Sequence, residues 1–285
     1  MTTRSVKDTY DDWAAFYHRM YPTPAHGIEE ARRALAAVLP EAASDRTALD
    51  VGCGIGFSAA ALAKLGYRVT AWDLSPKSLE RAQALLNATG LTADLAEVDI
   101  LKPPFVDVAS PAFDIVTAFA SVIAHFEALE EQRQAISNLA NLVAPGGYVV
   151  LGVHDYETLM RSEPDDALSE AAIIKHPTSE TVHIRRRTWI GQPRDRVHVS
   201  RFYQVLDGRS LRIIETRFRA VTFMEVTEIL VEAGMTDIRW YQPESTGYYQ
   251  SLCVARRART EERVAGTTGR RIAVHRVQRP SRASE

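Results

Sequence analysis

Leu49-Asp50-Val51-Gly52-Cys53-Gly54-Ile55-Gly56 constrains this chain more than any other stretch: an apolar run that breaks into three glycines at alternate positions. Residues 47–51 read as a strand and the alanine- and leucine-rich residues 57–65 as a helix, so the glycines form the turn between them. Such a turn brings main-chain N–H groups and a helix N-terminus up against a ligand. A dinucleotide site spaces its glycines GxGxxG, and here Phe57 stands where the third would fall. The tighter GxGxG spacing suits a ligand without a pyrophosphate, one whose amino and carboxylate ends press on the loop. The plain alternative is a tight turn with no ligand.

The alternation continues downstream. Residues 67–72 read as a second strand, 75–88 as a helix capped by Ser75 with Pro76 in its first turn, and 93–100 as a third strand. Residues 113–120, FDIVTAFA, are apolar almost throughout, as a strand covered on both faces requires. A helix over 130–142 is expected to stop at Pro145-Gly146-Gly147, ahead of a fifth strand at 148–153. Strands alternating with helices imply right-handed crossovers and a parallel sheet, so the fold class is α/β.

After His154 the texture changes. Residues 181–190, 197–206 and 211–221 alternate and are rich in β-branched and aromatic residues, with Gln192-Pro193-Arg194-Asp195 and Asp207-Gly208 as the turns of a small antiparallel addition. A helix at 223–233, ended by Gly234, and strands at 237–241 and 249–255 return to the core. The organisation expected is a helical N-terminal lid (1–46), a core (47–160), an antiparallel insertion that caps the substrate site or forms a dimer interface (161–222), the rest of the core (223–257) and a disordered, arginine-rich tail (258–285).

Two acids complete the loop. Asp73 closes the second strand, where a carboxylate can take both hydroxyls of a ribose; Asp99 closes the third, where it can accept from an adenine amino group or merely cap a turn. All three elements fall at the carboxyl ends of adjacent strands, where open α/β sheets bind ligands. Together with 113–120, Pro145-Gly146-Gly147 and a terminal antiparallel strand, they make the chain resemble the class I S-adenosylmethionine (SAM) dependent methyltransferases from about Tyr10 to Arg257. The resemblance implies a Rossmann-like, mostly parallel seven-stranded sheet with an antiparallel last strand, and SAM as cofactor. It further implies that Gly52, Gly54 and Gly56 line the methionine part and that Asp50 supports the loop from beneath. Asp73 would hold the ribose and Asp99 the adenine, with Leu74, Ile100 and Ala118 beside them.

Within that class, residues 120–159 resemble most the glycine N-methyltransferase group, through Ala120-Ser121-Val122-Ile123-Ala124-His125-Phe126 and His154-Asp155-Tyr156-Glu157. His125 and Tyr156 match that group's pattern. Ser121 stands where the group has Asn, and His154 where it has the Arg that grips the substrate carboxylate. Imidazole cannot copy the two parallel hydrogen bonds of a guanidinium. The likeness therefore implies N-methylation of an amine other than glycine, with Ser121 and Tyr156 as substrate contacts. The alternative is O- or C-methylation of a natural-product-like acceptor, with His125, and His154 second, as base; each histidine has a structural reading as well.

Tyr10, Trp13, Phe16, Tyr17 and Tyr21 precede the core. They form either a lid, with Tyr17 against the cofactor's carboxylate or sulfonium, or an amphipathic helix packed on the sheet. Trp189, Tyr203 and Tyr241 are candidates for the acceptor pocket or for core packing. A net charge of −2 argues against a nucleic-acid or membrane-surface partner. Lys102-Pro103-Pro104-Phe105 resembles a motif of base-methylating enzymes, but it precedes the fourth strand and reads as a loop. No apolar run approaches the ~20 residues of a membrane span, the start MTTRSVKDTYDDW has no signal-peptide core, and Cys53 and Cys253 read as reduced thiols. The expectation is a cytoplasmic enzyme with a small-molecule acceptor, a homodimer being the assembly to test. An NAD(P) oxidoreductase and a non-catalytic SAM binder are the remaining rivals.

Overall fold

The computed structural model describes residues 5–40, 45–103, 113–162, 166–190 and 196–259. Strands β1 (Thr47–Val51), β2 (Arg68–Asp73), β3 (Asp94–Glu97), β4 (Phe113–Ala118) and β5 (Val143–Val153) follow the order read from the sequence. β6 (Asp166–Lys175), β7 (Glu180–Ile190), β8 (Val197–Leu206) and β9 (Ser210–Arg219) form a separate antiparallel sheet, after which β10 (Met235–Tyr241) and β11 (Ser251–Arg257) return to the first. The seven-stranded sheet runs β10-β11-β5-β4-β1-β2-β3, and only β11 opposes its neighbours. Strand order reverses at β1, between β2 and β4, so the carboxyl ends open there into the crevice where such sheets bind ligands.

Alternate side chains of each strand serve two cores. A first helix, α1 (Val6–Trp13), lies apart from the sheet; α2 (Pro24–Val38), α3 (Phe57–Lys64) and α4 (Pro76–Thr89) bury Leu35, Leu62 and Leu86 against Ala48, Val69 and Ile115 on one face. α5 (Leu129–Leu142) buries Ile136 and Leu139 against Leu49, Val116 and Leu151 on the other. Short α6 (Tyr156–Ser162) follows β5, α7 (Phe223–Glu232) packs beside α5, and α8 (Pro243–Thr246) precedes β11. Ser75 caps α4 by accepting from Ser78 N–H at 3.0 Å, with Pro76 next, as the sequence predicts.

The antiparallel sheet stands over the carboxyl edge. Its inner face meets α1 through Trp13, Phe202 and Ile214, and meets the 3-10 turn Val122–His125 through β9. The turn at Asp207-Gly208 forms as read: both residues have positive φ, 54° and 65°, the geometry of a tight hairpin.

Four readings need correction. The third strand stops at Glu97, because the Asp99 carboxylate accepts from Leu101 N–H at 2.9 Å and turns the chain. The fourth ends at Ala118 rather than 120, since Ala120 and Ser121 adopt positive φ. Pro145-Gly146-Gly147 does not stop α5: the helix ends at Leu142, and the three residues lie within β5 beside an irregularity in its pairing with β4. The antiparallel sheet has four strands, not three. β6 escapes sequence reading because DALSEAAIIK has little strand alternation; as an edge strand it is held by pairing with β7 and by the Arg186–Asp166 ion pair. The Gln192–Asp195 turn, Pro104-Phe105 and the tail from 260 onward lie outside the described residues. No helix among the described residues is long and apolar enough to cross a membrane.

Candidate cofactor and acceptor site

The glycine loop is held in place by its own neighbours. Gly52 has φ +65°, and a Cβ there would overlap the Val122 side chain; Gly56 has φ +93° at the N-cap of α3, and its Cβ would press on Ala82 of α4. Both positions thus exclude a side chain on conformation and on space. Asp50, fully buried, accepts from Ser58 Oγ in the first turn of α3 and from Thr117 Oγ1 on β4 at 2.7 Å. Burial pushes its carboxyl up to about 6 against the pull of those hydrogen bonds. Asp50 therefore ties strand to helix beneath the loop and does not line the two cavities beside it.

Asp73 stands at the open end of β2. One oxygen accepts from Gly54 N–H and the other from Ser75 N–H, each at 2.8 Å. Burial raises its carboxyl above the ordinary value, opposed by those two hydrogen bonds. It shares a cavity with Val51, Gly52, Leu74, Ser75, Val98, Ile100, Val122 and Phe126. Apolar walls with one buried carboxylate suit a flat base joined to a vicinal diol, so the residues present fit the adenosine of SAM. A smaller cavity joins it through Tyr17, Gly52, Phe119 and Ala120 and runs toward Tyr21, Phe57, Ser58 and Tyr248.

The N-terminal segment closes the cavity. Val6, Lys7, Tyr10 and Tyr17 line it. α1 is pinned to α4 by Asp11, which accepts from Ser75 Oγ at 2.6 Å, and to β3 by the Lys7–Glu97 ion pair. Trp13, 2% exposed, anchors the other side of α1 on Phe202 with ring centroids 4.8 Å apart. The aromatic run thus lines the cavity through Tyr10 and Tyr17 and packs on the antiparallel sheet through Trp13, although one continuous helix is not formed: α1 ends at Trp13, and Tyr17–Met20 is a 3-10 turn. Burial raises the Tyr17 phenol to about 12, with Asp73 adding to the shift.

His125 faces the same cavity. Its Nε2 lies 2.9 Å from Tyr10 Oη and its Nδ1 3.5 Å from Thr216 Oγ1. Burial lowers it to about 4. His154, at the end of β5, is lowered to about 3 by burial first and then by Arg185 and Arg187. Both imidazoles are neutral at neutral pH.

Other expected site residues fall elsewhere. Asp99 lies outside the cavity, between its lining residues Val98 and Ile100, with a carboxylate oxygen committed to the local turn. Ala118 is wholly buried; Phe119 and Ala120, one and two residues later, form the wall. Gly54 and Gly56 shape the loop without lining the larger cavity. Ser121 is buried, accepting from Gln250 Nε2, and Tyr156 is buried beside His154 and His198. Tyr203 points to the outer face of the antiparallel sheet, because the alternation of β8 turns Phe202 and Gln204 inward. Sequence reasoning misses Lys7, Val98, Phe119, Val122 and Phe126; nearness to a strand end hints at Val98, Phe119 and Val122, and nothing in the sequence marks Lys7 or Phe126.

Residues 48–147 match the family model described as a methyltransferase domain. The ubiquinone biosynthesis O-methyltransferase of Alkalilimnicola ehrlichii is 32% identical over 127 residues, 45% of this chain and 49% of that protein. The chain spans about half the length of the curated relatives it matches. Among solved structures, the CcbJ methyltransferase from Streptomyces caelestis superposes with a TM-score of 0.69 at 19% identity, covering 88% of this chain and 98% of that one. CalS10, an amino pentose methyltransferase from Micromonospora echinaspora solved with SAM bound, gives 0.64 at 22% identity over 87% and 97%. Residues 48–147 of the chain thus match a methyltransferase domain, and the fold around them is the one found in these methyltransferase structures. Its mixed sheet, with β11 reversed, is the fold those neighbours share.

Proposed function

We propose that the protein transfers a methyl group from SAM to the nitrogen of a small-molecule amine other than glycine. Asp73 would hold the ribose, the Gly52 loop the methionine part, and Leu74, Val98 and Ile100 the base. When bound, SAM supplies an activated methyl, whose bond to sulfur breaks as the acceptor's lone pair bonds to carbon, leaving S-adenosylhomocysteine (SAH). The chain's own contribution is alignment and exclusion of water, for which orientation is worth about 7–11 kcal/mol.

The observation that carries nitrogen over oxygen or carbon is the weakness of both candidate bases. His125, at about 4, faces a phenol near 10, a gap of roughly six units or about 8 kcal/mol. A neutral amine already carries its lone pair and needs no such base. The finer likeness to the glycine N-methyltransferase group supports the same acceptor atom through His125 and Tyr156. Oxygen remains the second reading, supported by the O-methyltransferase names among the curated relatives.

The test is SAH release with SAM and a panel of amines and phenols of matched size. Turnover of amines and not phenols is expected. Turnover confined to phenols would replace this reading with O-methylation.

A further inference from the structure

Arginine placement on the antiparallel sheet is unequal between its faces. Arg186, on the outer face of β7, pairs with Asp166, and Arg201, on the outer face of β8, pairs with Glu215 at 2.6 Å. On the inner face of β7, alternation stacks His183, Arg185, Arg187 and Trp189 toward the interior. Arg187 is 3% exposed. The Arg185 guanidinium sits 5.1 Å from the Phe202 ring centroid and reaches Ser200 Oγ at 3.3 Å and 3.4 Å; both partners are neutral. Among the described residues Arg185 makes no ion pair. Glu170, opposite it on β6, is half-exposed and lies 3.9 Å from His183 Nε2 instead.

Both cations act electrostatically on the buried rings of His154 and Tyr156, and Arg185 acts on Tyr249 as well. Tyr249 leaves 47% of its surface uncovered beside them, open to a ligand. His154 packs against Tyr249 and Tyr156 with ring centroids 5.8 Å apart. Nearby buried polar atoms lack hydrogen-bond partners: both ring nitrogens of His183, the Gln204 amide, His198 Nε2 and Gln250 Oε1. Arg185 is half-buried, and holding a guanidinium partly out of water without a counter-ion costs free energy that an apolar residue of like size would not. A sheet that pairs its outer arginines yet holds Arg185 inward without an acid is built for an anion it does not itself contain.

We propose that the methyl acceptor carries an anionic group, a carboxylate or a phosphate, held by Arg185 together with Arg187 on the inner face of β7; this rests on the methyl-transfer reading above. A guanidinium offers such a group two parallel N–H donors. The guanidinium missing at His154 is thereby supplied from β7, whose Arg185 and Arg187 already act on that imidazole. The same cations favour the neutral form of an acceptor amine, leaving its lone pair free. SAM's own carboxylate is the other source of this chemistry, but neither arginine lines the cavity that contains Asp73.

The experiment measures thermal shifts of the SAH-saturated protein with inorganic phosphate and acetate at constant ionic strength, comparing wild type with Arg185→Met and Arg185→Lys. Anions are expected to raise the wild-type melting temperature, to act weakly on Arg185→Lys and to leave Arg185→Met unmoved. Without anions, Arg185→Met is expected to melt no lower than wild type, since an unpaired half-buried charge has gone. Equal anion shifts in wild type and Arg185→Met would overturn the proposal, as would a several-degree fall in its anion-free melting temperature. A tenfold loss of SAH affinity in Arg185→Met, with 5′-methylthioadenosine binding unchanged, would assign Arg185 to the cofactor carboxylate and overturn it too. If wild type fails to bind SAH but still shows an Arg185-dependent anion shift, the methyl-transfer reading falls and the anion site stands.

Discussion

The carboxyl edge of the parallel sheet and the inner face of the antiparallel sheet satisfy their polar groups in opposite ways. At the first, Asp73 accepts from two main-chain N–H groups and Asp50 from two hydroxyls, so the cofactor side is fixed by short-range backbone geometry. At the second, His183, Gln204 and His198 keep buried donors and acceptors without partners, and Arg185 has only neutral ones. One half is complete before a ligand arrives. The other keeps unmet polar groups, and under the proposed anion site this is where substrate choice would reside in a scaffold that accepts many chemistries.

The largest expected effect breaks the complete half. Asp73→Ala should weaken SAH binding by about 2–4 kcal/mol in calorimetric titration, the cost of a lost charged acceptor for two hydroxyls. Unchanged affinity would remove Asp73 from the ribose site.

Acid response separates the halves next. Histidines 125, 154 and 198 titrate at about 4, 3 and 2 in the folded chain but near 6.5 unfolded, so acidification from 6.5 toward 4 charges only the unfolded chain and removes stability. Asp50 acts in the opposite sense: its folded carboxyl takes up a proton at about 6, before the unfolded one, and favours the fold as pH drops from 6 to 4. Denaturant melts across that window should show stability falling with acid, and His198→Gln should flatten the slope by up to ~1.4 kcal/mol per pH unit. An unaltered slope would mean His198 is not buried in neutral form.

Smaller effects sharpen the boundary. His125→Gln should leave SAH affinity intact and change amine turnover by no more than about tenfold if, as proposed, the residue holds Tyr10 and removes no proton. A loss of roughly 10² or more would restore it as general base. Tyr203→Ala, on the outer face, should change neither SAH affinity nor turnover; a fall in turnover would bring that face into the site.

How much of this was legible follows the same division. The glycine loop, Ser75-Pro76 and Asp73 are local signals, each set by residues within a few positions of one another, and the structure keeps all three in place. Asp99 was legible as a strand end but not as a turn-maker, because the competitor for its carboxylate, Leu101 N–H, carries no sequence mark. Positive φ at Ala120 and Ser121 was equally silent, since neither residue advertises a left-handed backbone. Arg185 could not be placed at all: alternation in β7 gives two faces, and only the packing of the sheet on α1 and on the Val122–His125 turn, distant in sequence, decides which face is inside. Tyr203 went wrong for the same reason, one residue from Phe202 on a strand whose inner face was unknown.

The most direct measurement is calorimetric titration of the whole protein with SAH, with NADH as control. Micromolar binding of SAH at one site, with NADH silent, is the predicted result and would fix the edge around Gly52 and Asp73 as a SAM site. Absence of SAH binding at millimolar concentration, or binding of NADH instead, would contradict it.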